Sequence, residues 1–210
     1  MTEHHHHGAG EHGHHSELSE IEARVLALES LLTEKGLITS QAVDDLVYRY
    51  EHDIGPLTGA RVVAKAWIDP DFRRRLLEDG TAAIAQLGIQ SSDLKLAVVQ
   101  DQPGLHNVIV CTLCSCYPWF LIGLPPTWYK SAPYRARVVI EPREVLGEFG
   151  LEIPETTAIR VWDSSADLRY LVLPERPAGS EGWSEEELAA IVTRDCMIGT
   201  ALPKVPEAVS

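Results

Sequence analysis

The amino-acid sequence predicts an α+β protein, in which a helical N-terminal arm precedes a mixed, layered α/β-sheet domain carrying a metal-binding cysteine loop. Three observations predict it. Apolar residues recur at helical spacing as far as about residue 90. Beyond Leu94 they give way to short segments rich in β-branched residues. Three cysteines then crowd directly after one of those segments. The implied organisation is a disordered His-rich tail over residues 1–18, a helical arm over 19–90 and a metal-binding domain over 91–210.

Ser19 and Glu22 have the spacing of a capping box, and Ile21, Val25, Leu28 and Leu32 share one helical face that Gly36 terminates. A second amphipathic segment carries Val43, Leu46, Val47 and Tyr50 and stops before Gly55-Pro56. After a short segment around Val62 to Trp67, Asp69-Pro70 offers an N-cap with proline at the first helical position, and Gly80 a stop. Thr81 to Gly88 reads as one more short helix. Strands are expected at Leu96–Val99, Val108–Val110, Arg137–Ile140, Ile159–Trp162 and Leu168–Leu173. The last two flank a five-residue loop, Asp163 to Asp167, that predicts a hairpin. A final helix starts at Ser184, with a capping box to Glu187, and runs to about Arg194. No internal repeat is present.

With 210 residues, 45% of them hydrophobic and 23% charged, the chain can bury a sizeable core as one domain or a domain with an appendage. A net charge of -13 and a pI near 5.1 exclude nucleic acid and anionic membranes as partners, because both repel an acidic surface. No stretch approaches the roughly 20 apolar residues of a membrane helix, and the N-terminus lacks the apolar core of a signal peptide. A cytoplasmic location is expected.

Cys111, Cys114 and Cys116 fall within six residues, while Cys196 stands alone. Such crowding reads as metal chemistry, since a disulfide framework spreads its cysteines to close longer loops and needs an oxidising compartment. Sulfur donors select transition metals. Structural zinc is one candidate; it wants four ligands, with Cys196 or His106 as the fourth. Another follows from the single residue between Cys114 and Cys116, because both sulfurs reach one ion only if the backbone between them curls round it. The amide nitrogens of Ser115 and Cys116 then become ligands, Cys111 binds axially, and one position stays open. A trivalent metal with an open position polarises water or a nitrile.

At these residues the chain resembles the nitrile hydratase alpha subunits. The resemblance begins in Cys111-Thr112-Leu113-Cys114-Ser115-Cys116-Tyr117-Pro118-Trp119 and continues through Gly123-Leu124-Pro125-Pro126-Thr127-Trp128-Tyr129-Lys130 and Tyr134-Arg135-Ala136-Arg137-Val138-Val139. It extends to Arg160-Val161-Trp162-Asp163, Leu173 to Gly179 and Gly182-Trp183-Ser184, covering about Glu22 to Pro203. It implies a carbon–nitrogen lyase hydrating nitriles to amides at a low-spin Co(III) or Fe(III) centre. Cys111, Cys114, Ser115 and Cys116 would be the metal ligands, with Cys114, Ser115 and Cys116 catalytic. Cys114 would be oxidised to sulfinic and Cys116 to sulfenic acid, both rungs of the ordinary cysteine oxidation ladder. Either the metal activates water, or it holds the nitrile while the sulfenate oxygen of Cys116 attacks.

The resemblance also implies a beta subunit, whose arginines bond the oxidised sulfurs, in a heterodimer or heterotetramer with the active site between the chains. A metallochaperone or activator is a further expected partner, and small nitriles the substrates. Trp119 would line the substrate pocket, core packing being the alternative. Thr112 and Tyr117 match the cobalt-type motif, whereas Asn107-Val108-Ile109-Val110 and Asp195 to Gly199 read as iron-type; the balance leans to cobalt. Phe120 departs from the proline usual after that tryptophan.

Seven of the nine histidines lie in the first fifteen residues. A purification tag is one explanation. A native tail gathering divalent metal for the cysteine loop is the other, since imidazoles bind first-row metals. Cys196 and His106 read as structural, Glu185 to Glu187 as carboxylates placed at the positive end of a helix, and Arg135 and Arg137 as surface residues or contacts to a partner or to the oxidised cysteines. A thiocyanate hydrolase subunit and a non-catalytic metal-binding protein are the rival functions.

Overall fold

The computed structural model describes residues 20–48, 55–91, 93–114 and 116–206. The histidines of the tail, the Ser19 cap, Tyr50 and Ser115 lie outside the described residues. The chain divides into two compact units, residues 1–46 and 47–210. The first holds α1 (Glu20–Glu34) and most of α2 (Ser40–Tyr48). Gly36, at φ 66, ends α1 as its position predicts. Ile21, Val25 and Leu28, one helical face, are all exposed.

The second unit opens with α3 (Pro56–Ile68), α4 (Pro70–Glu78) and α5 (Gly80–Ala85). These helices were expected with the arm, yet they belong to the same unit as the sheets. Gly55-Pro56, expected as a stop, is the start of α3, because Pro56 occupies its first turn, where its missing N–H costs nothing. Val62, Val63, Ala64 and Ala66 of α3 are fully buried, and burial of each valine contributes roughly 1.5–3 kcal/mol. A Cβ on Gly59 would meet Ile122 Cγ2 at 2.4 Å and Met197 Sδ at 2.7 Å, so the close approach there requires glycine. Asp69 and Asp79 cap α4 and α5 by accepting from the Phe72 and Ala82 amides.

The described strands form two parallel pairs. β1 (Lys95–Gln100) pairs with β4 (Leu168–Leu173), and β2 (Leu105–Val110) with β3 (Ala158–Asp163). The expected hairpin between β3 and β4 is therefore corrected: the strands are consecutive in sequence but belong to different pairs. Ser164 N–H still bonds Val110 O at 2.7 Å, while Asp167 O already accepts from Lys95 N at 2.9 Å, so the loop carries the chain from one ladder to the other. Burial decides this. From His106 on, β2 is buried at every position, as a parallel strand covered on both faces must be.

Two further expectations are corrected. Arg137–Ile140 is not a strand; α7 (Ala132–Arg137) ends there in a turn. Ser131 caps α7 and Pro133 sits in its first turn, while Val139 and Ile140 lie exposed, so their β-branched side chains have no core to serve. The last helix is two, α9 (Glu185–Ala190) with the expected Ser184–Glu187 capping box, and α10 (Arg194–Ile198), restarted by Thr193 accepting from Cys196 N. Between β2 and β3 lie α6 (Trp119–Ile122), a 3-10 turn (Thr127–Lys130), α7 and α8 (Pro142–Glu148).

Candidate metal centre

Buried strand β2 delivers Cys111, itself 1% exposed, to the start of a loop that turns back on it. Cys114 Sγ lies 3.4 Å from Cys111 Sγ and 3.2 Å from Cys116 Sγ, and the three sulfurs all lie within 4.8 Å of one another. None of the three is in a disulfide. With metal–sulfur bonds of about 2.3 Å, sulfurs at right angles round one ion sit roughly 3.3 Å apart and tetrahedral ones about 3.8 Å. The two short separations fit the right-angled set. Tetrahedral zinc fits less well, and among the described residues no fourth ligand joins the three sulfurs: His106 engages Asp101 and Gly199, and Cys196 is buried beside Thr193.

Side chains from three other elements brace the loop and its strand, and a fourth sets a charge beside it. Asp163, ending β3 opposite Val110, accepts from Thr112 N at 2.9 Å and from the Thr112 hydroxyl at 2.6 Å. Tyr129 of the 3-10 turn donates to Cys116 O at 3.0 Å, and Tyr134 of α7 to Ile109 O at 2.7 Å. Arg135 Nη1 donates to Cys114 O at 3.2 Å and to Thr112 O at 3.5 Å. Arg169 of β4, only 8% exposed, donates to Ser165 O and Ala166 O, and its charge acts on Cys116. Tyr117 packs edge-on against Tyr129 at 4.9 Å, so the motif residue bears on the ligand loop through the tyrosine that holds it.

Burial, with hydrogen bonds from Cys114 and Cys111, pushes the Cys116 thiol up to about 12, and the nearby Arg169 charge opposes this only in part. Crowded thiols resist becoming thiolates together; a cation among them reverses that preference. Burial likewise raises Tyr117, Tyr129 and Tyr134, so all three stay neutral, and Tyr129 and Tyr134 serve as hydrogen-bond donors.

Trp119 opens α6, half-buried against the core and 6.0 Å from the Phe120 ring, and Phe120 is itself buried. Arg137 points elsewhere, pairing with Glu141 and, at 2.7 Å, Glu148. Asp163, Tyr129 and Arg169 were not anticipated as site residues. The one available signal was the run Arg160 to Asp163, whose last residue lies beside the loop only because β3 pairs with β2.

The sequence model described as nitrile hydratase, alpha chain, matches residues 19–201. The high-molecular-weight cobalt-containing nitrile hydratase subunit alpha of Rhodococcus rhodochrous is 54% identical over 198 residues, which span 93% of this chain and 98% of that one. The thiocyanate hydrolase subunit gamma of Thiobacillus thioparus is 46% identical over 201 residues, spanning 90% of this chain and 82% of the relative. Among solved structures, a double mutant of the Fe-type nitrile hydratase from Comamonas testosteroni Ni1 superposes with a TM-score of 0.86 at 47% identity, covering 90% of this chain and 96% of that one. Length, core and cysteine loop agree with one another, and the chain belongs to the nitrile hydratase alpha-chain family.

Proposed function

We propose that Cys111, Cys114 and Cys116, with the amide nitrogens of Ser115 and Cys116, hold one trivalent cobalt or iron ion at which a nitrile is hydrated to its amide. The observation that carries this is the placing of Cys114 Sγ 3.4 Å from Cys111 Sγ and 3.2 Å from Cys116 Sγ on one short loop, in a chain 54% identical to a cobalt-containing relative. When bound, the ion supplies Lewis acidity that polarises the nitrile. The chain's own part is to hold the donors: Cys111 is anchored by β2, Thr112 by Asp163, and Cys116 by Tyr129. Cys114 as sulfinate and Cys116 as sulfenate, formed by dioxygen as oxidant, would complete the site; the Cys116 oxygen would attack the nitrile carbon, and water would restore that oxygen to sulfur as the amide leaves. Trp119 lines the pocket. Thr112 and Tyr117 favour cobalt.

As an alpha subunit the chain works within a heteromeric enzyme. Its partner, on this reading, is a beta subunit in an αβ dimer or a pair of them. Leu113, 88% exposed within the ligand loop, and the exposed apolar face of α1 support a covering chain. No helix of the described residues is long and apolar enough to cross a membrane, and the reading places the enzyme in the cytoplasm. The His-rich tail would collect metal for the loop; unchanged loading at limiting metal after deletion of residues 1–15 excludes that role.

Elemental analysis and intact mass of the complex test the core proposal. Expected are one cobalt or iron per alpha chain and added oxygens on the Cys111 to Cys116 peptide. Zinc with unmodified thiols excludes it. Faster turnover of thiocyanate than of acrylonitrile would instead assign the chain to the thiocyanate hydrolase side of the family.

A further inference from the structure

We infer that Arg135 is a positioning residue for the ligand loop, its guanidinium holding the Cys114 carbonyl oxygen onto which charge passes when the next peptide nitrogen serves as a ligand. The inference rests on the ligand set proposed above. Its geometry is that of a clasp. Arg135 Nη1 lies 3.2 Å from Cys114 O and 3.5 Å from Thr112 O, the acceptors along the crown of the loop. Asp163 takes the donors, the Thr112 N–H and hydroxyl. A carboxylate thus serves the loop's donors and a guanidinium its acceptors.

Charge makes this more than a structural hydrogen bond. Among the described residues Arg135 forms no ion pair, and its Nε is buried without a hydrogen-bond partner. The acidic side chains within reach of Arg137, Glu141 and Glu148, are engaged by that residue. A half-buried guanidinium left among carbonyls is costly unless its surroundings turn negative. Thiolates and anionic peptide nitrogens would make them so. Peptide resonance couples the residue 115 nitrogen to the Cys114 oxygen, so a nitrogen acting as an anionic donor leaves much of its charge on the atom Arg135 holds. Hydrogen bonds to charged acceptors are shorter and stronger than neutral ones. Arg135 thereby fixes the plane of that peptide and draws charge away from the metal.

The test uses the complete complex of this chain with its partner subunit, comparing wild type with R135Q and R135K. In R135Q, metal loss to a chelator is expected to speed up by about ten- to a hundredfold, the usual range when a residue orienting a metal ligand is removed. The sulfur-to-metal charge-transfer band should shift to shorter wavelength, as the nitrogen donates more strongly. On acrylonitrile kcat should fall while KM stays within about twofold, the sign of a contact that serves the chemistry and not substrate binding. R135K, which keeps the charge but loses the fork, should fall between. A wild-type band and wild-type metal retention in R135Q overturn the assignment. Should R135Q fail to assemble, R135K decides by the same two readouts. Absence of nitrogen donors from the X-ray absorption spectrum of the wild-type metal would refute the ligand set itself, and the inference with it.

Discussion

Strand β2 has opposite surroundings at its two ends. At its amino end His106 and Asn107 close a polar network away from solvent. His106 Nε2 is 2.7 Å from Gly199 O, and its Nδ1 is 3.2 Å from Asp101 Oδ2, an ion-pair contact off the line of a hydrogen bond. Asp101 Oδ1 accepts from Asn107 N and Nδ2, and Asn107 Oδ1 accepts from Trp162 Nε1. Gly199, at φ 93, lies so close that a Cβ would stand 2.1 Å from Asn107 O. At its carboxyl end β2 releases Cys111 into a loop with Cys114 exposed and Leu113 almost wholly so. Both ends concentrate histidine, cysteine or carboxylate chemistry. They differ in closure: the first network turns its side chains onto one another, away from solvent, whereas the second gathers three sulfurs on an exposed loop.

Substitutions at the two ends should therefore separate stability from metal chemistry. The largest effect on function is expected from Cys111→Ala, which should abolish metal binding and hydration while costing only about 1 kcal/mol of stability, as a small truncation. Metal at wild-type stoichiometry in that variant would break the comparison. The largest effect on stability is expected from His106→Ala. Removing one partner of a buried pair costs about 3–5 kcal/mol, and the variant that still folds should keep its metal. Chemical denaturation with metal analysis of the folded fraction checks both halves.

A pH series sharpens the contrast. Burial alone would lower the His106 pKa, but the adjacent Asp101 carboxylate, with the Gly199 carbonyl, outweighs it and the net shift is upward from 6.5. Stability from a raised histidine is fully present below pH 6.5 and is lost as the pH climbs through the folded value. The melting temperature should accordingly fall above neutrality in wild type, and this component should vanish in His106→Gln. An identical alkaline decline in both would show that another group is responsible. The smallest effect is expected from Tyr129→Phe, which removes one hydrogen bond from Cys116 O and should cost about 0.5–1.5 kcal/mol. Because that bond serves the open end, metal retention should drop as well; an unaltered metal site would limit Tyr129 to packing.

The candidate site was legible where its chemistry is contiguous. Three thiols within six residues declare a metal loop without any knowledge of the fold, and the Ser184 capping box and the Asp69-Pro70 start are equally local. The braces were not legible, because each lies far along the chain: Asp163 is 51 residues from Thr112, and Arg135 is 21 from Cys114. Arg137–Ile140 shows the reverse error, where β-branched composition promised a strand but the helix begun at Ser131 and Pro133 ends there in a turn.

The sequence by itself determined the three-thiol cluster, the Asp69-Pro70 and Ser184 helix starts and four of the five expected strands, because each depends on residues within a turn or two of one another. Only the tertiary structure decided which strands pair. The Asp163 to Asp167 spacing suits a hairpin as well as it suits a crossing between two parallel ladders, and burial of β2 and β4 chooses the second. That choice sets Asp163 beside Val110 and hence at the metal loop. Long-range burial, which no local pattern encodes, gives the cysteines their support.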